Sequence, residues 1–317
     1  MTQPAASDPS APPTCYRHPG REAHVRCSRC NRTICPDCMV DAAVGFQCPE
    51  CVREGNRDVR VGRTLAGGVV HRDPVLLTKI LVGINVGVYA LQVLSNGAVD
   101  QRFQMVGFSV AVNGDYYRLL SAAFLHVSIT HLLFNMVALW VVGSEVERRL
   151  GRWRYLTVYL VSALAGSVFS YAVDSVFIPS VGASGAVFGL FGALFVLALK
   201  LRFDVRGIIA LIVINVVIGF IPGMNINWRA HFGGLIAGAL LTAAMVYAPQ
   251  RNRLAISIAA SAAIVAVCVG TTVWRSDQVR GCSNFELRTD HCGFLMPTAT
   301  TDQPASDQTV TPTLTPL

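Results

Sequence analysis

Long apolar stretches alternate with short polar loops from about residue 75 onward. Seven stretches approach the length of about 20 residues that a helix needs to cross the hydrocarbon layer. They lie at 75–95, 119–143, 154–174, 183–200, 207–222, 230–248 and 254–274. The fifth is short and bounded by glycine and proline, so its ends are the least well defined. The pattern predicts an all-α polytopic membrane protein with seven spans.

Composition divides the chain in the same way. Of 317 residues, 52% are hydrophobic and only 14% are charged, whereas a soluble domain has about 25% charged residues. Seven of the ten cysteines precede residue 61, which indicates a small cysteine-rich head before the membrane body. The predicted division is a disordered tail at 1–14, a zinc-binding domain at 15–52, a basic linker at 53–73, a six-helix core at 74–248, a seventh transmembrane helix at 249–275 and an extracytoplasmic tail at 276–317.

Basic residues lie mainly in alternate loops. Nine Lys and Arg residues occupy the loops after spans two, four and six, and only three occupy the opposite loops. Loops rich in Lys and Arg stay on the cytoplasmic side of a membrane. We therefore predict a multi-pass protein of the cell membrane, with its N-terminus in the cytoplasm and its C-terminus outside. These loops also account for the net charge of +7.

Polar side chains within a span are candidates for function because they are costly in a bilayer. Span two contains His126 near its start, followed by His131 and Asn135. His131 and Asn135 are four residues apart, so they share one helix face and can converge on one point. Hydrogen bonding between helices is the structural alternative for this pair.

Ser184 lies at the start of span four, and His231 lies at the start of span six. A single serine or histidine at the start of a span is more often structural than catalytic. Small residues recur every four positions beside each, at 185, 189 and 193 and at 230, 234 and 238. Two such faces allow close helix approach, and a serine nucleophile needs an adjacent base. Because neither span contains Asp or Glu, a dyad is favoured over a triad.

Three segments in this order resemble the rhomboid intramembrane serine proteases. They are GDYYRLLSAAFLHVSITHLLFN (114–135), GASGAVFGL (182–190) and AHFGGLIAG (230–238). The resemblance covers about 74–248 and implies that Ser184 is the nucleophile and His231 the general base. It also implies an oxyanion site made by the Ser184 backbone N–H with His131 and Asn135, with His126 as a structural neighbour. No cofactor is expected for catalysis.

Two departures from the family pattern are visible. Tyr117 and Arg118 stand where the family usually has Trp-Arg, so the anchoring and packing role of this loop is expected to survive. The seventh span resembles the six-plus-one variants of the family.

The resemblance implies an endopeptidase, surrounded by membrane lipids, that cleaves single-span membrane proteins near their outer boundary. A catalytically inactive rhomboid-like binder of membrane proteins is the alternative. A transporter is disfavoured because the polar groups cluster near one face and no inverted repeat is apparent.

The head contains four pairs of potential metal ligands: Cys15 with His18, Cys27 with Cys30, Cys35 with Cys38, and Cys48 with Cys51. This spacing suits tetrahedral zinc, so eight ligands predict two structural Zn²⁺ ions. Disulfides are the alternative, although they rarely persist in the cytoplasm. The segment resembles B-box-type cross-brace zinc fingers, which implies that the first pair joins the third and the second joins the fourth. His24 is a spare candidate.

Five arginines make the head basic, at positions 17, 21, 26, 29 and 32. A head held under a membrane meets anionic lipid first. A cytoplasmic protein partner is a further candidate, nucleic acid is not expected, and a solvated surface is the alternative.

Three cysteines lie outside the head. Cys268 is surrounded by apolar residues of span seven and is expected to be buried. Cys282 and Cys292 lie ten positions apart in a polar segment predicted to be outside the cytoplasm, where a disulfide between them would persist. Free thiols are the alternative.

Overall fold

The computed structural model describes residues 12–57, 62–219 and 227–282. The chain forms two compact units, 1–62 and 63–317. In the first unit, β1 (Val25–Arg26) pairs antiparallel with β2 (Thr33–Ile34), and β3 (Val40–Asp41) pairs with β4 (Phe46–Gln47). Helix α1 (Pro49–Arg57) follows. Hairpins this short bury too little apolar surface to fold without cross-links.

The start of the described chain belongs to this first unit. The Ala23 N–H donates to the carbonyl of Pro13 at 2.8 Å, and Thr14 bridges to Glu22. Residues 12–14, which were predicted as part of the tail, are therefore hydrogen-bonded to the head. The rest of the predicted tail, 1–11, lies outside the described residues.

The second unit is helical. Its helices are α2 (Leu76–Leu94), α3 (Ala98–Phe103), α4 (Gly107–Val112), α5 (Arg118–Ser121), α6 (Ile129–Ala138), α7 (Ser144–Leu150), α8 (Arg152–Val173), α9 (Ser184–Leu201), α10 (Arg206–Gly219), α11 (Trp228–Tyr247) and α12 (Arg253–Gly281). A π-helical segment, Leu139–Gly143, joins α6 to α7. The prediction of an all-α polytopic membrane protein with a small N-terminal domain is confirmed.

Six helices among the described residues are long and apolar enough to cross a membrane: α2, the continuous α6–α7, α8, α9, α11 and α12. Helix α10 occupies the place of the predicted fifth span and has 14 residues. The remainder of that predicted span, 220–222, lies outside the described residues.

Helices α8, α9 and α11 pack against one another at the centre of the core. A Cβ atom placed on Gly234 would overlap the carbonyl oxygen of Gly185, and one on Gly238 would overlap that of Gly189. The two small-residue faces predicted for spans four and six therefore meet, backbone against backbone. Van der Waals packing at such close contacts favours helix association in membranes.

The predicted start of span two is wrong. The chain is not helical at 125–128, and α6 begins only at Ile129. The Ser128 hydroxyl accepts a hydrogen bond from the backbone N–H of His131 at 3.1 Å, which is the usual way a serine begins a helix. The apolar run from 119 concealed this break. His126 consequently lies in the turn before the helix.

The predicted end of span seven is also wrong. Helix α12 has 29 residues and continues to Gly281, seven residues past the predicted end at 274 and into the predicted tail. The charged Arg275 indicated an end, but its side chain is only 1% exposed. The helix continues because its last turns pack on α4 and α8, where Ser276 Oγ and Tyr171 OH are 2.9 Å apart.

The cysteines of this region follow the predictions where they are described. Cys268 is buried. Cys282 is disulfide-bonded, and its predicted partner Cys292 lies outside the described residues.

Candidate functional site

Ser184 is the first residue of α9 and is half-buried. The chain reaches it through Gly182, whose φ of +135° lies in the region that favours glycine. The Gly182 N–H donates to the carbonyl of Ala122 at 2.9 Å, which fixes this turn. The first N–H groups of a helix have no partner within it, so they are available to an oxyanion beside Ser184.

The His131 imidazole lies directly beside this turn. A Cβ atom on Gly182 would be 2.8 Å from Cε1 and 3.0 Å from Nε2 of His131, and 3.5 Å from the hydroxyl oxygen of Ser184. The imidazole and the hydroxyl therefore border the same small space. A side chain at position 182 would fill it.

His231 comes from the second turn of α11. Its ring stacks on Phe188, with centroids 4.1 Å apart and planes 8° from parallel. Phe188 lies one turn after Ser184 on α9, so the His231 ring lies on the same side of that helix as the Ser184 hydroxyl. Nδ1 of His231 is buried without a hydrogen-bond partner among the described residues, and no Ser184–His231 hydrogen bond is formed in that part of the chain.

Asn135 follows His131 by one turn of α6. It is buried, and its Nδ2 donates to the carbonyl of His131 at 3.0 Å. The amide group therefore lies on the His131 side of α6, one turn below the imidazole.

His126 is packed against His131, with ring centroids 5.1 Å apart and planes at 62°. Its backbone is held by Gln92 of α2, which accepts from the His126 N–H at 3.0 Å and donates to the His126 carbonyl at 3.1 Å. Burial, and then the charge of His131, lower the pKa of His126 to about 4. Sequence analysis missed Gln92, although a polar residue within an apolar span was a signal.

Asn227 connects the start of α11 to its surroundings. Its Oδ1 accepts from the N–H of Ala230 at 3.1 Å, and its Nδ2 donates to the hydroxyls of Ser170 at 2.6 Å and Ser180 at 3.0 Å. The helix that contains His231 is thereby tied to the end of α8 and to the segment before Ser184. An Asn four residues before His231 was a recognisable helix-start signal that sequence analysis did not use.

Arg118 is buried and organises the loop before α6. Its Nε donates to Asp115 at 2.9 Å, and its Nη1 donates to the carbonyls of Gln101 at 2.8 Å and Gln104 at 3.0 Å. The packing role expected of the Tyr117–Arg118 pair is therefore present in this loop.

Two tetrads of metal-ligand side chains lie in the head. The first is Cys15, His18, Cys35 and Cys38, and the second is Cys27, Cys30, Cys48 and Cys51. Within each tetrad the ligand atoms lie within 4.8 Å of one another. The Sγ atoms of Cys30 and Cys48 are 3.7 Å apart, close to the separation of about 3.8 Å that follows from tetrahedral Zn–S bonds of about 2.3 Å.

These tetrads match the cross-brace pairing and fit a tetrahedral metal. The seven head cysteines are all free thiols, which is against the disulfide alternative. His24 lies outside both tetrads and contacts Glu22.

Arg32 is an exposed residue that hydrogen-bonds to a ligand of the second tetrad. Its Nε donates to Cys30 Sγ at 3.3 Å, and its Nη1 pairs with Glu50 at 2.7 Å. Its guanidinium lies 4.3 Å from the ring centroid of Tyr16. Hydrogen bonds of this kind orient metal ligands.

Comparison with known proteins covers the membrane unit. The Rhomboid domain family matches residues 113–248. The chain is 34% identical over 203 residues to rhomboid protease GluP of Bacillus subtilis, covering 61% of the chain and 39% of that protein. It is 37% identical over 165 residues to putative rhomboid protease YdcA of the same organism, covering 50% of the chain and 82% of that protein. It is 28% identical over 216 residues to rhomboid protease AarA of Providencia stuartii, covering 57% of the chain and 76% of that protein.

Proposed function

This chain belongs to the rhomboid family of intramembrane serine proteases, and we propose that it cleaves single-span membrane proteins near the outer membrane boundary through Ser184 and His231. The observation that supports this most directly is the space beside Gly182. The Ser184 hydroxyl and the His131 imidazole border that space, and the His231 ring stacks one turn away.

The proposed chemistry follows from these positions. The Ser184 oxygen attacks the scissile carbonyl while His231 takes its proton, which His231 later gives to the leaving amine. The oxyanion receives hydrogen bonds from the Ser184 backbone N–H, His131 and Asn135, and it lies at the positive end of α9. Water then releases the acyl group. These steps need no cofactor.

The test uses purified full-length protein in liposomes with a fluorogenic single-span substrate. Ser184→Ala and His231→Ala should each abolish cleavage, and the double variant should be no worse because the two residues act as a unit. A fluorophosphonate should label the wild type and not Ser184→Ala. Ser261→Ala, on α12, is the matched control and should cleave normally. Cleavage by Ser184→Ala would reject the dyad, and an unlabelled, inactive wild type would favour the binder.

The proposed orientation has the head in the cytoplasm and the end of α12 outside. In support, α9 and α11 begin at the end of the core that contains Ser184, whereas α8 and α12 begin with arginines at the opposite end. Basic residues stay inside. A cysteine introduced on the exposed surface of the head, Arg57→Cys, should react with an impermeant maleimide only after cells are opened. Labelling of intact cells would show that the head lies outside the cytoplasm and that the proposed orientation is wrong.

For the head we propose two structural Zn²⁺ ions and a cytoplasmic protein partner. Both tetrads have the donor types and separations that zinc prefers. Arg21 and Arg32 pair with Asp37 and Glu50, which reduces the charge available to nucleic acid. Elemental analysis of the full chain should give two zinc ions, and a ratio of one would reject the two-metal site. Tight, strongly salt-dependent binding of a labelled oligonucleotide would overturn the choice of a protein partner.

A further inference from the structure

Three arginine side chains meet at the end of the core opposite Ser184. Arg63 precedes α2, Arg154 lies in the first turn of α8, and Arg253 begins α12. Arg63 Nη1 donates to the carbonyl of Gly67 at 3.2 Å. A Cβ atom on Gly68 would be 3.3 Å from Nη1 of Arg154, and one on the neighbouring Gly67 would be 3.4 Å from Nη1 of Arg253. The two guanidinium groups therefore lie against adjacent residues of one turn.

This turn is fixed in place by hydrogen bonds. The Thr64 N–H donates to the carbonyl of Gly68 at 2.8 Å, and the Gly67 N–H donates to that of Thr64 at 2.8 Å. The Thr64 hydroxyl also donates to the carbonyl of Leu150 at 3.2 Å, and Ala66 is fully buried. The arginines are thus held together by a docked segment of backbone.

Among the described residues, no carboxylate pairs with the arginines of this cluster. Arg253 donates to the carbonyls of Leu65 at 3.2 Å and Ala248 at 3.5 Å, and Arg63 donates to that of Gly67 at 3.2 Å. Within the described ranges, Arg154 donates to no acceptor, none of the three has a carboxylate partner, and Nε of Arg154 and of Arg253 is buried and unbonded.

The carboxylates near this end of the core are engaged elsewhere. Asp73 accepts from Lys79 at 2.8 Å, and Glu147 accepts from the Thr78 N–H at 2.8 Å. Like charges held together at a partly dry site are unfavourable unless an anion joins them. A bound anion would therefore stabilise this cluster of arginines.

Neighbouring side chains indicate which anion is available. Trp153, beside Arg154, is 78% exposed, Tyr247 at the end of α11 is 55% exposed, and Leu254, beside Arg253, is 66% exposed. Trp and Tyr concentrate at the level of the lipid headgroups. Basic pockets between membrane helices at that level bind lipid phosphates, and guanidinium groups match phosphate with two hydrogen bonds.

We propose that Arg63, Arg154 and Arg253 bind the phosphate of an anionic phospholipid in the leaflet opposite the active site. The test measures lipid affinity of the detergent-purified full chain by native mass spectrometry with phosphatidylglycerol, phosphatidylcholine or inorganic phosphate. Phosphatidylglycerol should bind more tightly than the other two. Arg154→Gln and Arg253→Gln should each weaken its binding about fivefold, and Arg251→Gln, an exposed neighbour, should not.

Equal affinities of wild type and both Gln variants for phosphatidylglycerol would overturn the proposal. Equal affinities for phosphatidylcholine and phosphatidylglycerol would also overturn it. Inorganic phosphate that binds as tightly as phosphatidylglycerol would overturn it too, and would assign the site to soluble phosphates. Thermal unfolding without added lipid checks the fold of each variant. If Arg154→Gln does not fold, the lipid affinities of Arg154→Lys are measured in its place. That variant keeps the positive charge and should still bind phosphatidylglycerol more tightly than phosphatidylcholine. Proteolytic activity is not a readout, so the result is independent of the proposed dyad.

Discussion

At the residue scale, Gly182 determines how closely His131 can lie to Ser184. Its φ of +135° is accessible to glycine and rarely to other residues, and the ring of His131 lies 2.8 Å from the place where a Cβ would be. The reason for glycine at this position is therefore the neighbouring imidazole as well as the turn.

Gly182→Ala should remove most activity from a protein that still folds. The new methyl group would meet Cε1 of His131 at 2.8 Å, so the ring must move away from Ser184. We expect kcat/KM to fall by about 10² to 10³, the usual cost of one oxyanion donor. Gly83→Ala, in open space on α2, is the control. Normal cleavage by Gly182→Ala would show that His131 is not needed at this distance.

The buried His126 should make stability sensitive to acid. Its pKa is lowered from 6.5 to about 4 by burial and by His131, so between these values the unfolded chain binds a proton that the folded protein does not. The free energy of unfolding should fall as pH falls from about 6.5 to 4, by about 3 kcal/mol from this group.

Denaturant titrations of the detergent-purified protein at pH 7 and pH 4.5 measure this effect. His126→Asn should lose part of the difference between the two values, whereas His24→Asn, on the exposed surface of the head, should keep it. An unchanged difference in His126→Asn would assign the acid sensitivity to other groups.

At the scale of elements, short polar caps determine where the helices of the site begin. Ser128 begins α6 three residues before His131, and Asn227 begins α11 four residues before His231. Each cap places an imidazole within the first two turns of its helix. Hydropathy predicted α2, α8, α9 and α11 to within two residues at either end, but it did not locate the break before α6.

Asn227→Ala should lower stability and turnover together. Loss of the cap costs about 0.5 to 2 kcal/mol, and loss of the bonds to Ser170 and Ser180 frees the helix that positions His231. We expect kcat to fall more than KM changes. Asn227→Asp keeps the cap oxygen and should be intermediate.

The control for this prediction is Asn252→Ala, because Asn252 precedes α12 without a side-chain capping bond. It should leave thermal stability and kcat near those of the wild type. Equal effects of Asn227→Ala and Asn252→Ala would contradict a special role for Asn227.

At the scale of the whole molecule, the two units obtain their stability in different ways. The core packs helices through glycine contacts, whereas the head has two-residue strands and two tetrads of residues that could hold a metal ion. Structural zinc supplies about 10 to 16 kcal/mol of apparent binding free energy in small fingers, which is more than so small a core can supply.

Metal removal should therefore unfold the head and leave the core intact. After treatment of the full chain with a chelator, a soluble protease should cut within 12–57 while the membrane unit survives and still cleaves its substrate. Chelator already saturated with zinc is the control and should cause no cutting. Loss of substrate cleavage on chelation would show that the two units are coupled.

The sequence by itself determined the membrane class of this protein, most of its helices and the spacing of its metal-ligand pairs. These features depend on residues that are close together in the chain, because a continuous run of apolar residues favours transfer into lipid and a short spacing lets two ligands bind one metal ion. Tertiary structure alone decided why α12 continues past Arg275, how near His131 lies to Ser184 and which arginines meet beside Gly67 and Gly68. Each of these depends on contacts between residues far apart in the chain, and such contacts form only when the helices pack.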